Sequence, residues 1–87
     1  MYCIVVYDVA VERVTKIMKL MREYLHHVQN SVFEGELTPA QLQELKYRAQ
    51  AIMNREEDSL IIYRLRNQKW LQREIVGIEK RSTSQFI

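Results

Sequence analysis

The chain is poor in the residues that interrupt, staple or terminate structure: its 87 residues hold one cysteine, one proline and two glycines. A single cysteine excludes an intrachain disulfide framework, and Cys3 has no Cys or His set at zinc-ligand spacing, so a packed thiol is expected. So little Pro and Gly leaves no linker, no low-complexity tract and no Gly-rich phosphate loop. Long apolar runs are also missing. The longest, residues 3–7, is far too short to span a membrane, and no charged segment with a following apolar one precedes a cleavage site, so a cytoplasmic protein without membrane contact is expected. Charge of one sign is not in excess either: 13 Lys and Arg against 11 Asp and Glu leave +2, so any basic surface must come from distribution.

What is present is dense hydrophobic patterning. Residues 2–7 are β-branched and aromatic without polar alternation, which reads as a central strand buried on both faces. From Val9 the period changes: Val14, Ile17, Met18, Met21 and Leu25 recur at helical spacing, predicting an amphipathic helix of about four turns. Residues 27–37 return to strand character, divided by a turn or bulge at Asn30-Ser31. Thr38-Pro39-Ala40-Gln41 announces a second helix, with Thr38 as N-cap, Pro39 at the first helical position and Gln41 completing a capping box. Leu42, Leu45, Ala49 and Ile52 form its apolar stripe, and it should fade near Asn54. Residues 59–65 read as a strand again, and Ile75, Val76 and Ile78 as a further short one.

The order is β-α-β-β-α-β with extra C-terminal strand material, an α+β ferredoxin-like sandwich. Residues 1–78 form the domain, and 79–87 are a tail that could pair as a strand with a partner subunit. Two helices on one sheet face leave the other face apolar and bare, and a second copy packed sheet to sheet is the simplest cover for so short a chain.

Tyr7-Asp8-Val9, then Val28-Gln29-Asn30-Ser31-Val32-Phe33-Glu34-Gly35-Glu36-Leu37-Thr38, Gln41-Leu42, Leu45-Lys46 and Glu57-Asp58-Ser59-Leu60-Ile61-Ile62-Tyr63 together resemble the Cas-two family, small CRISPR-associated proteins of spacer acquisition. The resemblance implies the same fold and homodimer. It also implies chemistry at Asp8, since some members are metal-dependent nucleases with the matching aspartate essential, while in others the protein bridges two integrase dimers and contacts DNA.

Read from its residues, Asp8 ends an apolar strand and stands beside a helix start, where a loop hydrogen bond is the plain role and ligation of Mg²⁺ or Mn²⁺ the sharper one. One carboxylate is a poor site, but a dimer could bring Asp8 from each chain together. Tyr7, His27, Ser31 and Phe33 are expected near it, His27 standing where many members have Arg. Arg13, Lys16, Lys19 and Arg22 step round the helix in a slanting basic stripe, by default a solvated face, and in a dimer a track for nucleic-acid phosphates. Arg13 matches an arginine that many members use on the nucleic-acid backbone. The leading expectation is a homodimeric adaptor that binds the CRISPR integrase and double-stranded DNA; the alternative is a Mg²⁺-dependent endonuclease cutting RNA or DNA at paired Asp8 residues. A third reading, an RNA-recognition module of the same element order, lacks that module's aromatic strand motif.

Overall fold

A computed structural model describes residues 1–78. Four strands, β1 (Tyr2–Asp8), β2 (His26–Gln29), β3 (Val32–Glu36) and β4 (Ser59–Leu65), and two helices, α1 (Val11–Tyr24) and α2 (Pro39–Ile52), follow the ferredoxin-like order. All neighbouring strands are antiparallel in the spatial order β2-β3-β1-β4. The unalternated apolar strand β1 is central, as its sequence requires: Val5 lies between Phe33 and Ile62, and Asp8 opposite Ser59.

Alternation along β1 divides the molecule into layers. Cys3, Val5 and Tyr7 point to the helices and share one core with Phe33, Ile17, Met18, Met21, Leu42, Leu45 and Ala49. Leu20, which the helical stripe omitted, is buried too, while Val14 and Ile52 at its margins are only half-buried. Ile4, Val6, Val32, Ile61 and Tyr63 fall on the opposite face by register, and Ile61 and Tyr63 are 47% and 55% exposed. Tyr2 and Glu34 on this face are buried, so the part of the apolar face left uncovered is its β4 side.

The connections follow from local chemistry. Asn30 and Ser31 make the two-residue turn between β2 and β3, with Asn30 at φ 47°, a left-handed conformation that asparagine tolerates. Thr38 accepts from the Gln41 amide and Gln41 reaches back to the Thr38 amide, the capping box expected, with Pro39 at the first turn. Gly35 allows a close approach: a Cβ there would sit 3.2 Å from Leu25 Cδ2, so the leucine side chain would have to give by a few tenths of an ångström. The start of α1 is different. Ala10 occupies its N-cap and offers no side-chain acceptor.

The strand expected around Ile75, Val76 and Ile78 does not form. After β4 the chain makes one 3₁₀ turn, Gln68–Trp70, and residues 71–78 run without a ladder partner among the described residues. Instead the segment lies across a hollow of about 660 Å³ from Val28, Gln29 and Val32, pinned by an ion pair from Arg73 to the buried Glu34. Strand propensity alone does not make a strand when no edge is paired with it. The tail 79–87 and its expected pairing lie outside the described residues.

Candidate functional site

Asp8 is the last residue of β1 and is exposed, on the face opposite its buried neighbour Tyr7. No side-chain hydrogen bond holds it among the described residues, so its position is set by its backbone alone. It borders a hollow of about 240 Å³ lined also by Tyr7, Val9, Val14, Asn30 and Ser31. The β2–β3 turn thus forms the opposite wall, tied to β1 by the Tyr7 amide donating to the Ser31 carbonyl at 3.2 Å.

Behind this wall three rings are stacked. Tyr7 and Phe33 have centroids 6.1 Å apart, and Phe33 and His27 4.6 Å apart. His27 Nε2 lies 2.7 Å from the Asn30 carbonyl, which can only accept, so that nitrogen carries the proton and steadies the turn. Burial pushes the Tyr7 hydroxyl pKa up, opposed by the charge of Arg22. Asp8, Tyr7, Ser31, Phe33 and His27, separated by up to 26 positions in sequence, are therefore one contiguous assembly.

The basic stripe is not one surface. Arg22 is exposed and acts on Tyr7, while Lys16 and Lys19 border a hollow between the helices with Leu20, Glu23, Tyr47 and Arg48, away from Asp8. Arg48 is itself bound by both carboxylate oxygens of Glu23 at 2.8 and 3.0 Å. Arg13, expected to extend toward phosphates, is folded back: its Nε and Nη2 donate to Asp58 at 2.5 and 3.1 Å, and Glu12 and Glu57 lie within 3.6 Å.

Asp58 was not singled out as a functional residue by sequence. Its carboxylate has no solvent exposure and also accepts from the Ala10 amide at 2.8 Å and the Asn54 amide at 2.9 Å. The Arg13 hydrogen bond, joined by these amides, holds its carboxyl well below the usual carboxylate range despite burial. The only signal available was its place in Glu57-Asp58-Ser59, a charged step into an apolar strand.

With this geometry, similarity to known proteins becomes informative. The family model described as CRISPR associated protein Cas2 matches residues 1–73. The chain belongs to the Cas2 family. A CRISPR-associated endoribonuclease Cas2 from Thermococcus kodakarensis is 47% identical over the whole of both chains. One from Archaeoglobus fulgidus, Cas2 2, is 52% identical over 91% of this chain and 86% of its own. A solved Cas2 structure covers 92% of this chain and 90% of that one, with TM-score 0.86 and 50% identity. The Streptococcus pyogenes Cas2 structure covers 88% and 100%, with TM-score 0.79 and 35% identity. The resemblance first seen in the motifs thus extends to the three-dimensional arrangement.

The donor set can be tested against a hard divalent ion. Mg²⁺ takes oxygen ligands, commonly one or two carboxylates with waters and substrate phosphate oxygens. Asp8 is a suitable, exposed oxygen donor, but no group of three or more His, Cys, Asp or Glu gathers among the described residues. At this corner the chain offers Asp8 as its exposed carboxylate donor. No helix among the described residues is long and apolar enough to cross a membrane.

Proposed function

We propose that this protein is an endoribonuclease whose site is completed in a homodimer by Asp8 of each copy. The observation carrying the reading is the placement of Asp8: an exposed carboxylate at the end of the central strand, on the side of the uncovered apolar face, walled by the Asn30-Ser31 turn. The names of the curated relatives, endoribonucleases at 47% and 52% identity, favour cleavage over the adaptor role expected first. A sheet-to-sheet dimer covers Ile4, Val6, Ile61 and Tyr63 and can bring the ends of two β1 strands to one axis.

In this reading both Asp8 carboxylates would hold Mg²⁺ or Mn²⁺, which when bound lowers the pKa of a coordinated water and offsets charge on a phosphodiester oxygen. The chain's own residues do the rest by positioning. The Tyr7–Phe33–His27 stack fixes the strand end and turn, so the hollow keeps its shape when a bulky anionic substrate arrives. Arg22 adds positive charge that acts on the Tyr7 hydroxyl of this stack. A base-stacking RNA module is disfavoured, because on the face away from the helices β1 and β3 carry Ile4, Val6, Val32 and the buried Glu34, and the aromatic there, Tyr2, is buried as well.

The adaptor is retained as a second reading because Asp8 is a single carboxylate and Lys16 and Lys19 are exposed beside Tyr47 on the helix surface. One substitution separates the two. Asp8→Asn is expected to abolish Mg²⁺-dependent cleavage of single-stranded RNA while shifting stability by no more than about 0.5 kcal/mol, as for other exposed substitutions. Cleavage at the parental rate by Asp8→Asn sinks the nuclease. Spacer acquisition that survives loss of cleavage supports the adaptor, whose DNA affinity should fall as salt rises.

A further inference from the structure

Asp58 is a buried charge that none of the chemistry above uses, in a segment that helped to carry the family resemblance. Its two oxygens accept four hydrogen bonds: Oδ1 from the Ala10 amide and Arg13 Nη2, Oδ2 from Arg13 Nε and the Asn54 amide. Ala10 is two residues beyond Asp8 and caps α1 without a side-chain acceptor of its own. A carboxylate 48 positions away in sequence therefore supplies the negative charge that this helix start lacks. Its neighbour Ser59 is the β4 partner of Asp8. The corner carrying Asp8 is thus held on one side by the β1–β4 ladder and on the other by Asp58.

We propose that Asp58, acting through the Ala10 amide and Arg13, is the positioning residue of the Asp8 site. The proposal rests on cleavage occurring at Asp8. Because no side-chain hydrogen bond holds Asp8 among the described residues, its carboxylate goes wherever residues 8–10 go. Asp58 decides where that is. The same contact gives Arg13 a role distinct from phosphate binding: its planar fork spans both oxygens and locks the carboxylate plane, which an ammonium could not do.

Asp58→Asn is the informative variant. An amide at this position keeps the size but places an NH₂ against two donors whichever way it is turned, so one pair of contacts is lost in either orientation. The expected result is a kcat for RNA cleavage lower by about 100-fold with KM unchanged, the signature of a misplaced reacting group rather than lost binding. Arg13→Lys should fall between parent and Asp58→Asn. Amide hydrogen exchange at residues 9–11 should accelerate in Asp58→Asn, with β1 and β3 still protected.

Thr38→Ala serves as the comparison for plain stability loss, since it weakens α2 far from Asp8, and it should keep the parental kcat. Parental kcat in folded Asp58→Asn overturns the proposal. So does unchanged exchange at residues 9–11, or a loss of kcat that Thr38→Ala reproduces. Asp8→Asn run in parallel separates the two levels: if it cleaves like the parent, the nuclease reading fails and the positioning role falls with it. If it is dead while Asp58→Asn is fully active, only the positioning role fails.

Discussion

At the scale of single residues, two aspartates at one corner have opposite surroundings and so opposite roles. Asp8 is exposed and, among the described residues, without side-chain partners; Asp58 is enclosed and accepts four hydrogen bonds. A carboxyl held below its ordinary range by Arg13 stabilises the fold only while it is ionised. Above the unfolded-state value of about 4 that contribution is complete, and it erodes as acid protonates the unfolded chain first. Urea midpoints measured against pH should therefore show a gap between parent and Asp58→Asn that is constant from neutral pH to about 4 and closes below it. A gap independent of pH down to strong acid would mean that Asp58 acts by shape rather than by charge. Asp8 was legible in sequence because a lone charge after an apolar run is conspicuous. Asp58 was not, because its partners Ala10 and Arg13 lie 45 or more positions away and a pair made by the fold leaves no local pattern.

At the scale of elements, legibility tracked how local the cause was. The start of α2 was readable to the residue, since Thr38, Pro39 and Gln41 are adjacent and their hydrogen bonds close within one turn. Thr38→Ala should cost about 1 kcal/mol, measured by denaturant midpoint at unchanged slope. The start of α1 carried no such signature because its cap comes from elsewhere in the chain. The basic stripe drifts round α1 as its spacing by three implies, and what Arg13, Lys16, Lys19 and Arg22 each touch depends on α2, Asp58 and Tyr7, which no local pattern announces. Ile75, Val76 and Ile78 show the converse, with strand-forming side chains but no paired edge among the described residues.

At the scale of the whole molecule, fold class was legible because element order and the unalternated β1 together leave few arrangements, whereas quaternary structure is an inference from the bare sheet face. If a second copy covers that face, Ile61→Lys should place a charge where apolar groups are desolvated and shift the protein from dimer to monomer in analytical ultracentrifugation, with the helical signal of the subunit retained. A variant that sediments like the parent would remove the sheet face from consideration as the interface. Loss of the dimer should also remove cleavage, since one chain offers a single Asp8.

The central place of β1 has one more consequence, for how the chain is made. Of the four described strands, β1 leaves the ribosome before the others yet sits between β3 and β4, and β4 spans residues 59–65. Until that late segment emerges, the apolar β1 keeps one unsatisfied edge, the kind of edge on which nascent chains aggregate. The synthesis of this small protein is thus a race between the ribosome reaching Leu65 and a neighbouring chain reaching β1.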